Sequence, residues 1–176
     1  GTLKWTSMGQ YEAEQEKARQ AMAPVYAKYA SMSAEQLDAD AQAMGIGQRL
    51  YLNNCAQCHG SDGRGSKGFP NLADGDWLGG DTHDYVKGVI AQGRTGMMPP
   101  MAAAVGTAED VKNVANYVLS LSGSAHNELA AQQGKAKFAV CAACHGPEGK
   151  GNMALGAPNL TDKIWLHGWG EKTIVD

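Results

Sequence analysis

No apolar run in this sequence approaches the length needed to span a bilayer, so the chain as written is expected to be soluble. It has no basic excess either. Fifteen Lys and Arg against 18 Asp and Glu give a formal charge of −3, which argues against nucleic-acid binding. Aromatics are scarce, with two Phe among 176 residues, whereas Gly reaches 23. That supply is thin for two independent cores, and small domains so built usually rely on a metal, a disulfide or a cofactor. No segment shows the alternation of a half-buried strand. There is no initiator Met and no secretory signal at Gly1, from which a removed N-terminal segment is expected.

No cysteine is left over. All four fall in two C-x-x-C-H units, Cys55/Cys58/His59 and Cys141/Cys144/His145, inside a longer repeat: "CAQCHGSDGRGSKGFPNL" recurs as "CAACHGPEGKGNMALGAPNL". Two thiols two residues apart lie one helical turn from each other, where each can add to a vinyl group on one edge of a porphyrin. The following His then faces the iron. The pattern is the c-type haem attachment signature. A zinc site would need a further ligand in each unit, and a thioredoxin-like pair does not require the His. Two structural disulfides are the remaining reading. Two haem c groups are therefore expected, attached through Cys55 and Cys58 and through Cys141 and Cys144, with His59 and His145 as axial ligands.

The surrounding pattern is helix and Gly-rich loop, an all-α chain. "QYEAEQEKARQAMAPVYAKYA" has helical spacing, with a bend or restart expected at Pro24. "SAEQ" from Ser33 is a capping-box signature. A helix from about Met44 runs into Cys55, with Gly47, Leu50 and Tyr51 on its expected buried side. Another covers "DTHDYVKGVIAQG". A third is capped by Thr107 and spaces Val111, Val114, Val118 and Leu121 helically. "GSAHNE" reads as a linker, after which Gly134 and Phe138 echo Gly47 and Tyr51. These signals divide the chain into an N-terminal helical extension (1–42), a first haem unit (43–123) and a second (127–176).

A second strong ligand on the iron closes it for electron transfer, and an open position permits substrate chemistry. "GRTGMMPPM" offers Met97, Met98 and Met101, each a soft neutral thioether. Met98, directly before the stiffening Pro99 and Pro100, is the expected sixth ligand of the first haem. Loop methionines packing on a haem face are the alternative. Arg64 and Lys150 match in register as candidate propionate partners or as solvated charges. Trp77 and Trp165 also match, either against a haem edge or as core filler. His83, His126 and His167 have no matched partner and are expected at the surface. Met98 lies 39 residues after His59, and the second copy is two residues longer before its proline, so its counterpart would fall near position 186. The second unit is thus expected to be incomplete, lacking its sixth ligand and its closing helix.

"KWTSMGQYEAE", the first repeat, "MPPM", "YVLSLSG" and "GKAKFAVCAACHGPEGKGNMALGAPNLTD" together resemble the dihaem subunit III of cbb3-type cytochrome c oxidases. The resemblance implies two tandem class I-like cytochrome c domains, the second incomplete, on the periplasmic side of the inner membrane. It implies an anchor preceding this chain, with electrons passing from a soluble cytochrome c to the monohaem subunit and then to the oxygen-reducing catalytic subunit. It also implies His59 with Met98 as one axial pair and His145 with a later methionine as the other. Likeness to c-type cytochromes further implies that the Pro70 and Pro158 carbonyls accept the ring protons of the two histidines. Two ferric haems would each add roughly −1, taking the holo-protein to about −5 and suiting a donor with a basic docking face. A free-standing dihaem cytochrome is the alternative within the class. A dihaem peroxidase needs an open haem, which Met98 would close on the first iron. No substrate site of its own is expected.

Overall fold

The computed structural model describes residues 5–176, so Lys4 and the residues before it lie outside the described part. Among the described residues the chain is helical, with two isolated bridges, Ser66 with Phe69 and Asn152 with Ala157, in place of strands. It divides into two compact units, Gly1–Asn54 and Cys55–Asp176.

The first unit holds α1 (Ser7–Ala30), α2 (Ala34–Ala39) and α3 (Ala41–Asn54). Thr6 starts α1 by accepting the Gly9 N–H at 2.9 Å, and the helix runs through Pro24 instead of restarting there. The Ser33–Gln36 capping box forms as the sequence predicts. No residue of α1, α2 or α3 is buried. The expected buried face of α3 is therefore corrected: Gly47 and Leu50 are exposed and Tyr51 is half-buried.

The second unit holds α4 (Ala56–His59), α5 (His83–Gln92), α6 (Ala102–Val105), α7 (Ala108–Leu121), α8 (Glu128–Lys137), α9 (Ala139–His145) and α10 (Glu171–Val175). Its core is built on α7. Val114 and Val118 point with Val105 and Phe138 into one buried cluster, against which Met101, Val111, Leu121, Cys141, Leu160, Trp165 and Ile174 pack. Each fully buried aliphatic side chain contributes about 1.5–3 kcal/mol. The hairpin of α7 and α8 is close because Gly134 has no side chain: a Cβ there would lie 2.0 Å from the Asn113 carbonyl oxygen. Phe138 then meets the Tyr117 ring edge-on, centroids 5.2 Å apart. Sequence order groups α7 with the first haem motif, yet its buried face is taken by the helices that carry the second.

Thr107 and Asp110 cap α7 reciprocally, the Asp110 carboxylate accepting the Thr107 N–H at 2.9 Å and Thr107 Oγ1 accepting the Asp110 N–H at 3.1 Å. The Thr107 N–H, then the Thr107 hydroxyl and the Lys137 charge, hold the Asp110 carboxyl below its ordinary range. A depressed native pKa contributes stability that is present above the unfolded value and lost as pH falls through the native one. Thr107→Ala should cost about 1 kcal/mol at neutral pH. It should also shallow the acid limb of a stability–pH curve, measured by urea unfolding from pH 7 downwards.

Candidate functional site

The two C-x-x-C-H motifs end short helices and turn out of them in the same way. In the first, α4 brings His59 one turn after Cys55, whose carbonyl accepts the His59 N–H at 3.0 Å. In the second, the motif is the body of α9. Both helices stop at a glycine with positive φ, Gly60 at 81° and Gly146 at 79°, a conformation that a side chain disfavours. The chain then folds back: Gly65 N–H donates to the His59 carbonyl at 2.7 Å, and Gly151 N–H to the His145 carbonyl at 2.8 Å. At Gly65 and Gly151 a Cβ would strike the returning backbone just before and at Pro-Asn-Leu, 2.4 Å from the Phe69 carbonyl oxygen and 2.6 Å from that of Ala157. Leu72 N–H closes on Gly63 and Leu160 N–H on Gly149, both at 2.7 Å.

This fold-back sets each imidazole. His59 Nδ1 is 3.0 Å from the Pro70 carbonyl oxygen and His145 Nδ1 is 2.9 Å from that of Pro158. A carbonyl only accepts, so Nδ1 carries the proton in both rings and Nε2 keeps its lone pair for a metal. Phe69 adds an edge contact to His59, centroids 5.9 Å apart. The copies differ in cover: His145 is 6 % exposed, whereas His59 is only half-buried. No disulfide joins the four cysteines. Burial pushes the Cys141 thiol above its ordinary pKa, with the neighbouring Cys144 adding to the shift.

The other expected residues are less gathered. Met101 packs on the core, but Met97 and Met98 stand 88 % and 74 % exposed. Arg64 faces Asp62 across an open surface at 3.7 Å, a pair worth little energetically, and Lys150 is exposed. Trp165 packs against the buried cluster, and Trp77 is half-buried. His83, His126 and His167 are at the surface.

Four residues that the motif reading passed over shape the loops. Asn71 Oδ1 accepts the Ala73 N–H at 2.8 Å, and Asn159 Oδ1 the Thr161 N–H at 2.9 Å. Asp74 does the same for Asp76 at 3.0 Å, and Asp162 for Ile164 at 2.9 Å. These turns carry the chain to Trp77 and Trp165, and their signal was present as matching Asn and Asp in the two copies.

Paired thiols one turn apart, an imidazole with a free Nε2 and glycine backbone pressed against the loop fit a covalently held haem. A zinc ion would want further thiolate, imidazole or carboxylate donors, and no group of three or more such side chains gathers among the described residues. The helical fold and these motifs define a c-type cytochrome.

A family model described as "Cytochrome C oxidase, cbb3-type, subunit III" matches residues 42–118. The chain is 73 % identical over 168 residues to the cbb3-type cytochrome c oxidase subunit CcoP of Rubrivivax gelatinosus, covering 96 % of this chain and 55 % of that protein. It is 39 % identical over 189 residues to the subunit FixP of Rhizobium meliloti, covering 99 % of this chain and 65 % of the relative. The subunit CcoP of Cereibacter sphaeroides is 39 % identical over 145 residues, 76 % of this chain and 50 % of that protein. The chain belongs to the cbb3-type cytochrome c oxidase subunit III family, whose members hold haem c covalently. It spans between half and two thirds of the length of these relatives. No helix among the described residues is long and apolar enough to cross a membrane.

Proposed function

We propose that this chain carries electrons through two covalently bound haem c groups within a cbb3-type terminal oxidase, on the periplasmic side of the inner membrane. It receives them from a soluble cytochrome c and hands them to the monohaem subunit, and so to the oxygen-reducing catalytic subunit. The observation that carries this reading is the duplication itself: two C-x-x-C-H motifs whose backbone returns and His–Pro hydrogen bonds match within 0.1 Å. Two tandem haem units, 43–123 and 127–176, behind a helical extension 1–42, accommodate that repeat.

In each unit the thiols tether the porphyrin and so prevent its loss. The imidazole would hold the iron through Nε2, and the proline carbonyl that accepts from Nδ1 fixes the ring and raises its basicity. Bound haem supplies a one-electron ferric/ferrous couple. Met98, on a loop stiffened by Pro99 and Pro100, would supply the thioether of the first haem, a neutral soft donor of the kind that raises the potential. Arg64 and Lys150 balance propionate charge, and Trp77 and Trp165 pack at the haem edges. The acidic balance of the chain attracts a basic donor, whose association should slow as salt rises.

Intact mass under denaturing conditions tests the reading directly, because thioether-linked haem stays attached. The expected product carries two haems per chain. Cys55→Ser with Cys58→Ser should leave one, and so should Cys141→Ser with Cys144→Ser. A chain purified from cells that mature c-type cytochromes yet carrying no haem would overturn the proposal.

A further inference from the structure

We propose that Phe69 is a positioning residue of the first haem unit, its ring holding the His59 imidazole and shielding the His59–Pro70 bond from water. This rests on the haem reading above and adds to it a difference between the two repeats. Ser66 and Phe69 close a turn around Lys67 and Gly68. The Ser66 N–H donates to the Phe69 carbonyl at 3.0 Å, and the Phe69 N–H to that of Ser66 at 2.8 Å. Ser66 Oγ donates to the Cys58 carbonyl at 3.2 Å, which ties the turn to the motif itself. Gly68 takes the left-handed position of that turn, at φ 86°. So anchored, the Phe69 ring meets the His59 imidazole in a T-shape, at an interplanar angle of 74°. Ring pairs of this geometry are favourable beyond the area they bury.

The second repeat shows what the ring is not needed for. Asn152 and Ala157 close the matching turn around residues 153–156, at 2.9 and 3.0 Å, and the His145–Pro158 bond forms at 2.9 Å. Ala157 has no ring to offer, so neither the backbone return nor the His–Pro bond requires one. The Phe69 side chain is therefore spare to the fold and serves the imidazole it touches. His59 is only half-buried, and the ring covers what the backbone leaves open. Solvent access around a ligand is one of the levers on a haem potential, and here the two repeats are set differently.

The test uses the full haem-loaded chain, reduced, with exchange of each axial-histidine Nδ1–H with solvent followed by proton NMR. Phe69→Ala should speed exchange of the His59 ring proton at least about threefold and leave that of His145 as it was. Phe69→Tyr should restore slow exchange, because residue 69 is 42 % exposed and a hydroxyl there reaches water. In a redox titration of Phe69→Ala the reduction equilibrium constant of the first haem should fall at least about threefold, as water stabilises the ferric charge, and that of the second should not move. The inference is wrong if either readout at the first unit is unchanged, or if both units respond alike. It is equally wrong if Phe69→Tyr behaves as Phe69→Ala. Should Phe69→Ala not fold, Phe69→Leu is read in its place by the same criteria. A wild-type chain carrying no haem at Cys55 and Cys58 would overturn the proposed function, and this inference with it.

Discussion

Gly134→Ala should destabilise the Cys55–Asp176 unit by about 3 kcal/mol, the upper part of the usual overpacking range. Ordinarily the same exchange inside a helix gains about 0.5–1 kcal/mol, because alanine loses less backbone freedom on folding. Here the new methyl would sit 2.0 Å from the Asn113 carbonyl oxygen and 2.7 Å from the Val114 nitrogen. Both are backbone atoms of α7 and cannot rotate aside, so the two helices must separate along the hairpin. The steric cost outweighs the propensity gain. Gly47, its echo on α3, is the internal control: a Cβ there meets nothing within 4 Å. Gly47→Ala should therefore stabilise α3 by the ordinary about 0.5–1 kcal/mol. Urea unfolding of the two variants, followed by helix signal, should give midpoints displaced in opposite directions. Equal shifts would mean that Gly134 is not the point of closest approach.

Replacing Asn116 should cost nearly as much. It is 4 % exposed and joins three elements: Nδ2 donates to the Glu171 carboxylate at 2.8 Å and to the Lys112 carbonyl at 3.0 Å, and Oδ1 accepts the Asn127 N–H at 2.8 Å. Asn116→Ala leaves the Asn127 N–H without its acceptor and the end of α10 without its tie. The expected loss is about 2–3 kcal/mol, from one stranded backbone donor and one charge-assisted bond. Asn116→Asp should be worse at neutral pH, since it sets a second carboxylate against Glu171. Burial and the like-charged neighbour should disfavour the ionised form of the introduced acid. The penalty is then present at high pH and relieved as pH falls through the raised value, opposite in sign to the Asp110 effect. Denaturant midpoints of wild type, Asn116→Ala and Asn116→Asp between pH 7 and pH 4 should show the two variants converging as pH falls. Parallel curves would rule out charge repulsion as the cause.

Both effects lie where residue pattern and tertiary contact part company. Gly47 and Gly134 look alike in sequence, each four residues before an aromatic, but only Gly134 is pressed against another backbone. Asn116 reads as a neutral break in an apolar stripe, and its weight comes from Glu171, 55 residues away.

What the sequence determined by itself was the chemistry and the local geometry. C-x-x-C-H fixes two thiols and an imidazole within one helical turn, whatever surrounds them. The glycines at 60, 65, 146 and 151 permit the tight return that brings Pro70 and Pro158 back to the rings, an interaction spanning 11 and 13 residues. Ser33 with Gln36 and Thr107 with Asp110 set their helix starts through bonds three residues long. Such features are legible because few residues, close in the chain, decide them. Which face of which helix is buried is settled by competition among distant partners. α3 and α8 both offer glycine and an aromatic, yet in the folded chain the buried face of α7 belongs to α8. A six-residue connection keeps α8 near, Gly134 allows the backbones to touch, and Phe138 completes the cluster. Only the tertiary structure showed that the buried face of α7 packs against α8 and Phe138.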